Sequence, residues 1–424
     1  MSDTNWKRQF FSFWGAQAVS LLGSGLASFA LIWWMTVSTQ SASVLALASL
    51  AGMLPGVLIG PLAGALVDRW DRKWVMIVSD GVSAILAALL VALFWLQAIQ
   101  VWHVYLILAI RGMAGTFQFP AIQSSTALMV PKEHLARVAG LNQALQGVTM
   151  IAAPALGALL LALLPLHSIL AIDVISAAIA IGLLFVSRVP QPLGQPAAAG
   201  VKGVWQDMRA GFAYIVRWPA LRSVLVVSAL LNLVLPPAFS LVPILVTKHF
   251  AGGAPQLAWM NAAYGLGFLA GGILLGVWGG FKRRVFTSLL GLAGLGLGSF
   301  LIGIAPTFAI GLGFAAMAVL GMMNPLANGP FFAILLAVVD SKMQGRVFTV
   351  LMSVSLAMAP VGLAIAGPLA DRFGVQVWYL LSALLCVFML IWIVFNPALL
   401  HMEEPTERRS SSGDGEQTYS PSAQ

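Results

Sequence analysis

Charge is what this chain has least of. Only 8% of its 424 residues are Asp, Glu, Lys or Arg, against roughly a quarter in a soluble globular protein. With 60% of residues hydrophobic and a mean hydropathy of +0.93, too little polar surface exists to face water. The chain therefore reads as an integral membrane protein. A single cysteine, Cys386, sits within an apolar run, which excludes an internal disulfide. The five histidines, His103, His134, His167, His249 and His401, fall at the ends of apolar runs or in loops, without metal-ligand spacing. No nucleophile elbow and no Gly-rich phosphate loop with its lysine occurs. A non-enzyme without metal or cofactor is expected. A net charge of +8 would suggest a nucleic-acid partner in a soluble protein. Here basic cytoplasmic loops account for it, and no such partner is expected.

What the chain does have is long apolar runs. A membrane-crossing helix takes about 20 of them in a row. Twelve are read, at 9–36, 43–67, 74–97, 101–129, 138–164, 166–187, 221–248, 255–280, 286–304, 307–337, 347–370 and 375–397. The first is too long for a signal-peptide core and is read as span 1. Continuous apolarity argues against a transmembrane barrel, whose strands alternate. Span 10 contains Asn324, Pro325 and Asn328, and a break or kink is expected there. With the N-terminus in the cytoplasm, 19 of the 22 lysines and arginines fall inside. That asymmetry sets a multi-pass orientation in the inner membrane with both termini cytoplasmic.

Four regions follow: residues 1–187, a linker at 188–220, residues 221–397, and a polar, Ser-rich tail at 398–424 expected to be disordered. In the linker, Val204, Met208, Phe212 and Ile215 share a helical face, which suits a helix lying on the membrane. The halves echo one another. GALVDRW (64–70) aligns with GILLGVW (272–278) at a spacing of 208, and VPKEHLARV (130–138) with VDSKMQGRV (339–347) at 209. The expected fold is all-α, with twelve transmembrane helices in two parallel six-helix bundles.

Against this apolar background, Asp68, Arg69, Asp71, Arg72 and Lys73 crowd one short turn between spans 2 and 3. A solvated positive-inside turn explains the bases but not the acids. The turn also follows Gly52, Gly56, Gly60 and Gly64, a small-residue ridge of the kind that admits a second helix. Gly64 and the charges after it resemble the loop 2–3 signature of the major facilitator superfamily, with Asp71 standing where the general pattern has Gly. The resemblance covers almost the whole chain. It implies that Asp68 faces the N-terminus of span 11, where the helix dipole favours a carboxylate, and that Gly64, Asp68, Arg69, Asp71, Arg72 and Lys73 form a latch for one conformational state.

RGMAG (111–115) in span 4 resembles the Arg-x-x-x-Gly element of proton-coupled drug antiporters, and TMIAAPALGA (149–158) resembles their span 5 motif, keeping Pro154 and Gly157. An arginine at the depth of Arg111 needs a partner, a wet cavity or a path to the surface. Asp173 in span 6 lies at a similar depth, within about 5 Å at 1.5 Å rise per residue. The two are expected to pair, either as a permanent bridge or in proton coupling, with Asp80 in span 3 a further candidate. Spans 1, 4, 7 and 10 are expected to line the substrate cavity, through Gln17, Ser20, Ser24, Ser28, Gln118, Gln123, Asn232, Asn324 and Asn328.

FALIWWMTVSTQS, VDRWDRK and FPAIQSSTALMVP look most like the macrolide-efflux branch. The resemblance implies a monomeric exporter in the lipid bilayer that trades protons for small, bulky amphipathic substrates by alternating access. Siderophore export, lysophospholipid flipping and a non-transporting receptor are the alternatives.

Overall fold

The structure is a computed structural model that describes residues 3–67, 69–187, 189, 201–340, 343–396 and 400. The linker stretch 190–200, the tail 401–424 and Asp68 lie outside the described residues. Among the described residues there is no strand. Six long helices come first: α1 (Asp3–Thr39), α2 (Ala42–Val67), α3 (Arg72–Trp95), α4 (Val101–Met129), α5 (Leu135–Leu163) and α6 (Leu166–Val186). After α7 (Val201–Arg217) come α8 (Pro219–Ser240), the short α9 (Val242–Ile244), α10 (Ala254–Trp278), α11 (Arg284–Ile304), α12 (Ile310–Val338), α13 (Gln344–Phe373) and α14 (Gln376–Val394). Twelve of these are long and apolar enough to cross a membrane.

Local chemistry sets several boundaries. The Asp71 side chain accepts from the backbone N–H groups of Lys73 and Trp74, satisfying donors that the first turn of α3 cannot pair internally. Gly279 ends α10 at φ 75°, a left-handed conformation that glycine takes without steric cost. The seventh span is not the single helix expected to residue 248. Pro236, Pro237 and Pro243 each lack an N–H. Helix α8 stops at Ser240, and α9 and a π-helical turn (Leu245–His249) continue the path. Helix α12 continues without a break through Asn324, Pro325 and Asn328, where a break or kink is expected. Neighbouring helices and side chains re-satisfy backbone groups freed by proline in lipid.

The two halves have one pairing scheme. In the first, α1 packs on α5 and α6, α2 on α4, and α3 on α4 and α6. In the second, α8 packs on α13 and α14, α10 on α12, and α11 on α12 and α14. Each pairing thus recurs six spans later. Two seams join the halves, α2 with α13 and α5 with α10, and the same six-span relation exchanges them. Helix α7 docks on α8 and α13. Its Met208 and Ile215 turn toward the protein, Ile215 being fully buried, while Phe212 faces outward. Two residues of the face expected to lie on the membrane thus pack on the protein, the Val204 side chain lies outside the described residues, and Asp207 of α7 bridges to Arg346 of α13 at 2.7 Å.

Both seams pack closely at one end, and among the described residues their glycines at the other end have open space around them. We call the side carrying α7 the linker side. Ala46 and Gly64 are about five helical turns apart on α2 and point the same way. Ala46, away from the linker side, is buried against Gly367 of α13; among the described residues nothing stands within 4 Å of where a Cβ on Gly64 would sit. The second seam repeats this. Gly147 and Gly265 meet Leu269 and Ile151 across it, whereas Gly140 and Gly272, each about two turns nearer the linker side on the same helix faces, have open space.

Candidate functional site

The N-terminal half buries a chain of polar groups. Arg111 Nη1 of α4 lies 2.9 Å from Asp173 Oδ2 of α6, with side-chain exposures of 17% and 3%. Ser24 of α1 joins them: its hydroxyl donates to Asp173 Oδ1 at 2.8 Å and accepts from Arg111 Nη2 at 3.2 Å. Close helix approach makes this possible. A Cβ on Gly23 would collide with Ser176 of α6, and one on Gly112 with the Gly52 carbonyl of α2. Such small-residue contacts are how membrane helices reach packing distance.

One turn toward the linker side stands a second acid. Asp80 of α3 is 3% exposed, and Gln118 Nε2 of α4 donates to its Oδ1 at 2.8 Å. Ser20 and Gln17 of α1 face the same carboxyl, and Asp173 is near enough for the two acids to interact. Gln17, Ser20 and Ser24 form one stripe of α1, because residues three and four apart share a helix face. The stripe thus touches both acids. The structure brings together Arg111, Asp173 and Ser24, and separately Asp80, Gln118, Ser20 and Gln17. Ser28 and Gln123 are exposed.

The C-terminal half holds a chamber of about 430 Å³, lined by α8, α11, α12, α13 and α14. That volume is in the range of drug-sized ligand sites. No ionisable side chain lines it. Its polar groups are Ser228, Asn232, Ser288, Asn324, Asn328 and Ser355, set among Phe239, Phe331, Phe332, Phe348 and aliphatic residues. Asn328 Nδ2 donates to Asn324 O and Oδ1, and Asn232 Nδ2 to Ser228 O. Among the described residues the buried Ser288 hydroxyl has no protein hydrogen-bond partner.

Of the expected cavity residues, Asn232, Asn324 and Asn328 line this chamber. Gln17, Ser20, Ser24 and Gln118 stand beside the acids of α3 and α6. Sequence reasoning missed Ser288, Ser355 and the part played by α11 and α13. The repeat spacing was the available signal for Ser288, which stands 208 positions after Asp80.

The charged turn after α2 ties its own half together. Lys73 Nζ donates to the carbonyls of Phe185 and Ser187 at the end of α6, at 2.9 and 3.0 Å. Arg72, 7% exposed, reaches Ser124 O of α4 at 3.4 Å. Asp71 caps α3 and Arg69 is exposed. Asp68, the centre of the expected latch, is outside the described residues.

Residues 13–250 and 223–421 match the sequence profile of the Major Facilitator Superfamily. Macrolide efflux protein A of Streptococcus pyogenes is 33% identical over 91% of this chain and 95% of its own. Macrolide efflux protein A of Enterococcus faecalis is 31% identical over 76% of this chain and 99% of its own. Among solved structures, a variant of the nucleoside transporter NupG superposes with a TM-score of 0.72, at 15% identity, covering 92% of this chain and 99% of that one. Twelve membrane helices in two equivalent halves, joined at two exchanged seams, agree with these matches, and the chain belongs to the Major Facilitator Superfamily.

Proposed function

We propose that this chain exports bulky amphipathic compounds of the macrolide kind, driven by inward proton movement, through alternating access of its two halves. The observation that carries this reading is the separation of chemistries. A chamber without ionisable groups lies in the C-terminal half, and the ion-paired network lies in the N-terminal half. The relatives named as macrolide efflux proteins supply the substrate class. A large apolar chamber with a few polar anchors suits a bulky ligand recognised by shape and a few hydrogen bonds.

The proton's place in this reading is the N-terminal network. A carboxyl that gains a proton turns one oxygen into an O–H donor and loses its negative charge, and with it most of its attraction for a cation. Protonation of Asp173 would loosen Arg111 and Ser24; protonation of Asp80 would change its hold on Gln118. Both acids touch α1, so either event alters how α1 sits between α4 and α6. One proton moving inward supplies about 2.3 kcal/mol per 100 mV. The linker side is cytoplasmic in this reading, because it carries most of the lysines and arginines. The seams are then open to the cytoplasm. The Gly64–Lys73 turn, with Asp68, acts as the latch that closes when the protein faces outward. The protein works as a monomer in the inner membrane.

The test is transport by the purified protein in vesicles. With an imposed pH gradient, a macrolide should move against its own concentration gradient, and a protonophore should abolish the movement. Accumulation unaffected by the protonophore would remove proton antiport. No macrolide movement, with transport of a lysophospholipid instead, would replace the substrate class.

A further inference from the structure

The closed end of the α2–α13 seam is held by a carboxylate that the loop 2–3 signature does not include. Asp371, in the last turn of α13, reaches across to the first turn of α2 in the other half. Its Oδ1 accepts from the Ala42 backbone N–H at 2.7 Å, and its Oδ2 from the Ser43 N–H at 2.9 Å and the Ser41 hydroxyl at 2.8 Å. The first N–H groups of any helix lack intrahelical partners. Of those of α2, the Val44 N–H goes to Ser41 Oγ and the Leu45 N–H to Ser41 O. The other two, Ala42 and Ser43, are satisfied by Asp371. A helix normally supplies such a cap from its own N-cap residue; here the other half of the molecule completes it. The carboxylate also meets the positive end of the α2 dipole. One turn before Asp371, Gly367 lets the helices touch: a Cβ there would stand 2.7 Å from Ser43 Cα.

We propose that Asp371 is the outer gate latch, a cap shared between halves that holds the transporter open on the linker side and must be released each time the opposite side opens. In that movement Ala42 and Ser43 exchange the carboxylate for water. The bonds are made in one state and broken in the other, so they bias the equilibrium by their differential strength. Asp371 is exposed, and solvent weakens the contact; a shared cap of this type shifts a two-state ratio by about fivefold.

The proposal rests on alternating access but not on the proton or the substrate class, so its test needs neither. Nitroxide labels at Leu96→Cys and Phe308→Cys, exposed positions on loops of opposite halves, report the width of the outer mouth in a Cys386→Ala background by pulsed EPR in nanodiscs. Asp371→Ala should raise the population of long distances about fivefold. Loss of the cap alone could also loosen α2, so Asp371→Ala is combined with Ser41→Asp, which restores a carboxylate cap from within the helix's own half. If Asp371 is a latch, the double variant regains thermal stability yet keeps the long distances. A double variant with the parental distance distribution would show that capping α2 is all Asp371 does, and would overturn the proposal. So would an unchanged distribution in Asp371→Ala itself. Failure of macrolide transport in vesicles leaves these distances untouched, so the two readings fail separately.

Discussion

In the N-terminal half, span 1 turns Ser20 and Ser24 toward two buried acids and an arginine. In the C-terminal half the positions 208 further on are Ser228 and Asn232, and they face a chamber. The same spacing takes Asp80 to Ser288, and a spacing of 209 takes Arg111 to Leu320 and Asp173 to Ser382. Every ionised member of the network thus has an uncharged counterpart. One backbone plan is used twice, once carrying a salt-bridged network and once carrying a chamber without ionisable groups. The pairing of helices follows small residues and apolar faces present in both halves, whereas very few side chains set the contents of each half. Burying a charge in a membrane protein is costly unless it is paired. Removing the charges from one half removes the need to fill it with partners.

The comparison can be broken most severely at the ion pair. Arg111→Leu copies the C-terminal half and leaves Asp173 buried beside no cation. Breaking one member of a buried pair costs about 3–5 kcal/mol, so purified Arg111→Leu should melt far below the parent and express poorly. Adding Asp173→Ser, the other C-terminal counterpart, should recover much of the melting temperature but not proton-driven export. Strictly additive damage in thermal melts of the two singles and the double would count against the pairing.

A smaller effect comes from the reverse exchange. Ser288→Asp places the N-terminal carboxylate in the neutral chamber. Even a neutral polar group left unpaired costs about 1–3 kcal/mol by mutational measures, and a carboxylate costs more, so export of an uncharged macrolide should fall by about fivefold or more in vesicle assays, with the fold intact by melting. Smaller still is Asn232→Leu or Asn324→Leu, each removing one polar anchor. A net hydrogen bond is worth about 1 kcal/mol, and apparent affinity for a macrolide should weaken about fivefold in a binding titration. An unchanged affinity in both would show that the chamber is not read by these amides.

The span plan was legible because lipid demands long apolar runs, and those are continuous in the sequence. The meeting of Arg111 with Asp173 was also legible, since depth along a helix can be counted from its ends and a lone buried arginine needs a counter-charge. Azimuth was harder. Nothing within α3 says that Asp80 turns toward Gln118, because facing depends on how each helix is rotated against its neighbours. For the same reason the sequence does not say that Gln17, Ser20, Ser24 and Gln118, expected at the substrate cavity, also stand beside the acids. Asp371 escaped notice because an acid at the end of a span looks like ordinary interfacial polarity, and Ser41 before α2 looks like a self-sufficient cap. Local sequence marks where a helix lacks an N–H, as at Pro236 and Pro237 in span 7 and Pro325 in span 10, not whether its neighbours make good the loss.

The central claim is that substrate and charge occupy different halves. A photoreactive macrolide bound to the purified protein, cross-linked and mapped by peptide mass spectrometry, tests it directly. The account predicts adducts on the chamber faces of α8 and α12, around Asn232 and Asn324 to Phe331, that are competed away by unlabelled macrolide. Competable adducts concentrated on α1 and α4, around Ser24 or Gln118, would place the substrate on the charged network and contradict it.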